Sequence, residues 1–270
     1  MNVSKELLDF QCVEFLRTIA YSSATSPFLL NGDRWPVQFG TNCCEEAKVL
    51  RHILTQFEFS QVYYLDDQLT KRHRSLLCEL DNKTYYINPY FMIPQAIELD
   101  QLDSIEVDTF PIVNDEYSIV TLTKDGAQLS VTKSWPGSDR KDKFQFDISQ
   151  AHNNELEFED YIQRVFHEEQ RTLSIRVLDV YTNATDHIVF PIQTCDGMYI
   201  KTNEGQQIMP DSTEFAPTLA NLSHKLRVTP KSVVSFMRRS SELYIDLHQK
   251  HRDIISNPEA TAPRFGTFHC

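Results

Sequence analysis

Between Gln61 and Ile148 the chain changes from a helical period to a strand period, and that switch limits its architecture more than any other feature. The β-branched or aromatic runs there are Gln61–Leu65, Ser75–Leu80, Thr84–Ile87, Ser104–Asp108, Tyr117–Thr123, Gln128–Ser134 and Lys143–Ile148. Asp81-Asn82 and Asp125-Gly126 supply turn signals between neighbouring runs, so a largely antiparallel sheet or barrel is expected. Upstream, residues 4–20 place Leu7, Leu8, Phe10, Val13, Phe15, Leu16 and Ile19 mostly on one helical face behind a Ser4 cap. Residues 43–58 repeat that pattern with Ala47, Leu50, Ile53, Leu54 and Phe57, and the Ser-, Pro- and Asn-containing stretch Tyr21–Phe39 reads as a connecting loop. Downstream, Glu155–Glu169 reads as a helix, Thr172–Tyr181 and His187–Ile192 as a strand pair, and Pro230–His251 as a helix capped by Thr229, with an irregular tail from Arg252 to Cys270. The expected class is therefore α+β in three parts: helical over 1–60, an antiparallel barrel or sheet over 61–150, and mixed over 151–270.

Charge and cysteine usage narrow the function. Lys and Arg number 26 against 38 Asp and Glu, a formal charge of −12 that repels nucleic acid and anionic lipid, so neither is an expected partner. Lys5 and Glu6 interrupt what a secretory signal would need to be apolar, and no run approaches the length of a membrane span, which predicts a cytoplasmic protein. In that compartment Cys12, Cys43, Cys44, Cys78, Cys195 and Cys270 are expected as free thiols. No Cys-x-x-Cys or His-Glu-x-x-His spacing suggests a metal, and no Gly-x-Gly-x-x-Gly, Walker-type loop or Gly-x-Ser-x-Gly suggests a nucleotide site or a serine hydrolase.

The stretch Gly40-Thr41-Asn42-Cys43-Cys44-Glu45-Glu46-Ala47 carries the most chemistry. With Asn42 as cap and Glu45 as the returning residue of a capping box, Cys43 occupies the first helical position, where unpaired amides and the helix dipole favour a thiolate. Glu45 and Glu46 oppose that thiolate unless they are engaged or point away. His73 opens the Ser75–Leu80 strand, and Asn88 ends the strand that returns. A turn near Asp81–Lys83 places Asn88 across from Ser75 to Leu77, a few residues out of register with His73. Cysteine, histidine and asparagine form a nucleophile, base and orienter set in which the amide fixes one imidazole tautomer.

Each residue also has a plainer reading. Free cysteine is among the most buried residue types, and Cys43 or Cys44 can be a small core side chain. His73, between Lys71, Arg72 and Arg74, can be part of a solvated basic strand end, or the cluster can hold a thiolate or a phosphate-bearing cosubstrate. Cys78 alternates with Leu76 and Leu80 as core does. Tyr85, Tyr86, Tyr90 and Phe91 can line a pocket or simply pack.

A cysteine opening a helix, a histidine opening a strand, and an amide fifteen residues later at the end of the next strand together resemble the arylamine N-acetyltransferases, within the larger transglutaminase-like, papain-like group. The family's Arg-Gly-Gly-x-Cys-x-Glu pattern is met by Gly40, Cys43 and Glu45, while Phe39 and Thr41 replace its arginine and second glycine. Its Asp-Val-Gly-Phe-Gly strand end is similar to Asn88-Pro89-Tyr90-Phe91-Met92, with only the phenylalanine kept. The resemblance implies a helical part carrying the nucleophile Cys43, with Cys44 the alternative, a β-barrel carrying His73 and Asn88, and an α/β lid ending in a helix. It implies an amide-forming acyltransferase that moves an acyl group from acyl-CoA or an acyl-carrier thioester to a small-molecule amine through a cysteine thioester, with no bound cofactor and with an acyl-carrier protein as a further partner. A transglutaminase-like amidohydrolase or deamidase with the same triad, and an inactive binding module on this fold, are the alternatives.

Overall fold

The computed structural model describes residues 3–107, 109, 119–134, 139, 141–166, 170–179, 181–182, 184–192, 197–202 and 205–252. Its helices in chain order are α1 (Lys5–Thr18), α2 (Ser26–Asn31), α3 (Cys43–Gln56), α4 (Phe158–Val165), α5 (Phe215–Lys225) and α6 (Pro230–Lys250). Its strands are β1 (Val62–Asp66), β2 (Arg74–Leu80), β3 (Lys83–Ile87), β4 (Ile97–Glu98), β5 (Ser104–Val107), β6 (Ile119–Asp125), β7 (Gln128–Ser134), β8 (Lys141–Asp147), β9 (Thr172–Leu178), β10 (Thr185–Pro191), β11 (Tyr199–Lys201) and β12 (Gln207–Ile208). The class is α+β. Two compact units divide the chain: Met1–Ile19, Cys43–Glu155 and Val180–Ala184 form one, and Ala20–Asn42, Leu156–Asp179 and Thr185–Cys270 the other.

In the first unit α1 starts where Ser4 accepts a hydrogen bond from the Leu7 amide at 3.3 Å, and it buries Leu8, Cys12, Phe15 and Leu16 while leaving Phe10 outside. The helix α3 buries Cys44, Ala47, Leu50 and Leu54, one stripe at helical spacing. Two four-stranded antiparallel sheets come next, ordered β1-β2-β3-β4 and β5-β6-β7-β8. Each keeps its own edges, so among the described residues the expected barrel is not closed. The sheets share a core of Leu65, Leu77, Tyr86, Phe91, Leu122, Val131 and Phe146, among others, and an isolated bridge joins Asp67 to Phe146. Apolar side chains from two open sheets therefore remove the same inner faces from water that a closed sheet would.

The hairpin β2–β3 sets where Asn88 lies relative to His73. Asp81 (φ 53°) and Asn82 (φ 60°) are both left-handed, the two-residue turn whose twist suits paired strands, and Leu80 pairs with Lys83 across it. The ladder then runs through Leu77–Tyr86 to Leu76–Ile87, which leaves Asn88 opposite Ser75 and diagonal to His73.

In the second unit the sheet order is β12-β11-β10-β9, and α6 begins where Thr229 accepts from the Ser232 amide at 3.1 Å. The ring of Phe236 on α6 stacks on Phe28 and Phe39, with centroids 4.9 and 3.9 Å away. The stretch expected as a loop over Tyr21–Phe39 instead contains α2, with Pro27 in its first turn and Gly32 (φ 73°) ending it, together with 3₁₀ turns at Ser23–Thr25 and Val37–Phe39. Burial of Phe28 and Leu30 supplies what six residues of helix propensity do not. The helix expected over Glu155–Glu169 begins only at Phe158, and α5, β4, β11 and β12 arise where no element is expected. The expected tail beyond Arg252, and Cys195 and Cys270, lie outside the described residues; among those described, Cys12, Cys43, Cys44 and Cys78 form no disulfide. No helix among the described residues is long and apolar enough to cross a membrane.

Candidate active site

Gly40 prepares the chain before α3. Its φ of 73° is left-handed, and a Cβ built there would lie 1.8 Å from the Ala20 carbonyl oxygen, the same oxygen that accepts the Thr41 amide at 2.9 Å. Trp35 Nε1 donates to the Gly40 carbonyl at 3.0 Å. Asn42 donates through Nδ2 to Ser26 Oγ at 2.7 Å and to the Tyr161 hydroxyl. Cys43 is then the first residue of α3 and half-buried, where the opening amides of a helix have no partners within it. Cys44, one position on, is buried in the core stripe. Burial is the main influence that pushes the Glu45 carboxyl above its ordinary 4.5, ahead of the opposing pull of Lys48; Glu155 adds to the rise and Arg74 opposes it. A carboxyl held toward its neutral form opposes a neighbouring thiolate less.

The other two residues stand on the hairpin. His73 precedes β2 and is 2% exposed; Asn88 follows β3 and is 1% exposed. Asn88 Nδ2 lies 2.9 Å from His73 Nε2, the diagonal contact that the β2–β3 register creates. Cys43 Sγ lies 3.9 Å from the carbonyl oxygen of Arg72, the residue that leads into His73. The structure thus brings His73 and Asn88 into hydrogen-bond contact and carries the Cys43 sulfur to the mouth of the same strand.

Asp67 shapes that mouth, a role that sequence reasoning missed. Its buried carboxylate accepts from the amides of Leu69 (3.2 Å), Thr70 (2.9 Å) and Gln145 (2.8 Å) and from the Thr70 hydroxyl, and its own amide donates to the His73 carbonyl at 2.9 Å. An aspartate three residues before a threonine in a short polar turn was the available signal. Of the basic cluster, Arg74 is buried and its guanidinium is committed to both carboxylate oxygens of Asp66, at 2.7 and 3.0 Å; Lys71 is exposed and Arg72 half-buried.

Aromatic rings surround the imidazole. Tyr90, Phe144, Phe91 and Phe146 have ring centroids 4.9, 5.3, 5.5 and 6.3 Å from that of His73. Phe144 and Phe146 come from the other sheet, and their alternation in β8 was the one sequence hint of a shared face. Tyr90 and Met92 occupy the positions where the resembled family has glycines. Met92 takes a left-handed conformation there (φ 59°, ψ 32°) despite its side chain. Tyr85 points to the opposite face of the sheet from Tyr86, with Lys5 Nζ 5.7 Å from its ring centre.

No protein-family model and no curated protein matches the chain. Solved structures do. An arylamine N-acetyltransferase from Mycobacterium smegmatis superposes with a TM-score of 0.59 at 13% identity, covering 90% of this chain and 93% of that one. One from Salmonella typhimurium gives 0.56 at 10% identity over 88% and 93%, and one from Mycobacterium marinum, solved in complex with CoA, gives 0.54 at 12% identity over 90% and 93%. At such identities the likeness establishes the fold alone, the one that the arylamine N-acetyltransferases share.

Proposed function

We propose that the protein is an acyltransferase in which Cys43 takes an acyl group from a thioester and passes it to an amine, with His73 as proton carrier and Asn88 as orienter. The observation that carries this reading is the buried 2.9 Å contact between Asn88 Nδ2 and His73 Nε2, set beside a half-buried cysteine at the first position of a helix. With Nε2 facing Asn88, Nδ1 is the nitrogen assigned to the thiol; to take a proton there the ring must carry N–H on Nε2, which calls for Oδ1 of the Asn88 carboxamide toward the ring.

The chemistry balances as two displacements. The Cys43 thiol proton passes to His73, and the sulfur attacks the thioester carbonyl carbon. The oxyanion is met by amides of the first turn of α3. Collapse breaks the bond to the donor sulfur, which leaves as a thiol with the proton from His73. The amine then attacks the acyl-Cys43 carbonyl, its proton goes to His73, and the Cys43–acyl bond breaks to release an amide as that proton passes to the Cys43 sulfur. Coenzyme A thioesters are the first donors to test, since a protein of this fold is solved with CoA; an acyl-carrier thioester presents the same reacting bond. A small amine is the proposed acceptor.

Intact mass after incubation with acetyl-CoA tests the reading. One acetyl group is expected on the wild type, lost in Cys43→Ala and discharged by an arylamine. Label that persists in Cys43→Ala and disappears in Cys44→Ala moves the nucleophile to Cys44. Label discharged equally fast without amine makes the protein a hydrolase, and no label from any acyl thioester sinks the proposal.

A further inference from the structure

Ser75 and Leu77 follow His73 at alternate positions along β2, and Tyr86 and Asn88 alternate along the facing strand, so these side chains share one face of the sheet. Across that face runs a polar row inside an otherwise apolar core. Asn88 Nδ2 is 2.9 Å from His73 Nε2 and donates to the Tyr86 hydroxyl at 2.6 Å. The hydroxyl is also within hydrogen-bonding reach of Ser75, whose Oγ donates to the Leu65 carbonyl at 3.3 Å. Tyr86 is completely buried, and loss of solvation, ahead of the opposing influence of Asn88 and Ser75, keeps its hydroxyl un-ionised.

We propose that Tyr86 is a positioning residue for His73, acting through the carboxamide of Asn88; this rests on the acyltransferase reading of Cys43, His73 and Asn88. Asparagine brings no charge to favour an imidazolium, so its support depends on which end of the carboxamide faces the ring. With Nδ2 toward Nε2, that nitrogen has to accept, so the neutral ring carries its proton on Nδ1 and cannot take one from sulfur there. An imidazolium has donors on both nitrogens and requires Oδ1 in that place. Oδ1 is buried with no hydrogen-bond partner in the present arrangement. A half-turn of the carboxamide exchanges its ends, and in either orientation the far end is left without a partner, so that end favours neither. What stays bonded through the exchange is the Tyr86 hydroxyl, which accepts from Nδ2 in one orientation and donates to Oδ1 in the other. Phenylalanine keeps the ring, 5.7 Å from Phe146, and removes this function alone.

The test is the pH dependence of Cys43 alkylation by iodoacetamide, which needs no acyl substrate. Tyr86→Phe is expected to slow alkylation below pH 7 by about three- to tenfold, the worth of one hydrogen bond, and to move the pH profile upward. Asp67, which acts electrostatically on the Tyr86 hydroxyl, and Glu45 on the first turn of α3 are the same in every variant. Because Tyr86 acts through Asn88, Tyr86→Phe added to Asn88→Ala is expected to slow the reaction no further than Asn88→Ala alone. Should Tyr86→Phe fail to fold, Ser75→Ala removes the hydroxyl's other partner and is expected to shift the profile in the same direction by less. An unchanged profile in Tyr86→Phe while Asn88→Ala moves it, or effects that multiply in the double variant, overturns the role of Tyr86 and leaves the triad standing. A profile indifferent to His73→Gln removes the triad itself.

Discussion

Cys43 opens α3 half-exposed, its sulfur 3.9 Å from the Arg72 carbonyl oxygen, whereas Cys78 sits in the middle of β2 with no exposed surface. Burial first, and Glu79 second, push the Cys78 thiol up to about 12. Cys12 on α1 is held up by the same loss of solvent, with Asp9 adding to it. One residue type thus stands in two surroundings. Mid-strand, the sulfur is a small apolar side chain whose ionisation the core opposes; at a helix start it has partial solvent and the positive end of the helix dipole, the kind of place that in general favours a thiolate.

The contrast breaks most sharply on covalent labelling. Cys43→Ala is expected to abolish both the acyl-enzyme and the fast iodoacetamide adduct in intact mass, and Cys78→Ala to leave both; acylation that depends on Cys78 instead would invert the comparison. Next, His73→Gln is expected to slow Cys43 alkylation below pH 7 by about a hundredfold, in line with loss of a positioned base. Stability should run the other way. Chemical denaturation is expected to show Cys78→Ser losing ~1–3 kcal/mol by burying a hydroxyl, while Cys43→Ser stays within ~0.5 kcal/mol. Equal losses in the two variants would mean that α3 hides its first residue as fully as β2 hides Cys78.

The smallest effect concerns Glu45. Its carboxyl binds a proton more readily in the folded chain than at the ordinary 4.5, so its contribution to stability is fullest at low pH and declines as pH rises from 4.5 through the folded value. Denaturation of Glu45→Gln across that window should show a flatter pH dependence. A steeper one would mean that the carboxylate is stabilised at the start of α3.

Much of this was legible in the chain because local period and turn chemistry agree. The stripes of α1, α3 and α6, the caps at Ser4 and Thr229, and the Asp81-Asn82 turn are written in adjacent residues. That turn made the nearness of His73 and Asn88 derivable, since a two-residue loop fixes every pair beyond it. Features made by packing were not legible. A six-residue helix such as α2 depends on what buries Phe28, and barrel closure depends on how distant edges meet. Tyr86 and Asp67 looked like an ordinary strand aromatic and an ordinary turn aspartate, because only the finished register aims the Tyr86 hydroxyl at Asn88. Phe144 and Phe146 reach His73 from a separate sheet, which no local window contains.

The four rings packed about His73 also hold its imidazole in one pose. Swapping its two nitrogens means sweeping a flat heterocycle past Tyr90, Phe91, Phe144 and Phe146, so close packing opposes the exchange and favours Nε2 toward Asn88. The packing thereby fixes which nitrogen meets the carboxamide, and the end that the carboxamide presents decides what the other nitrogen can do.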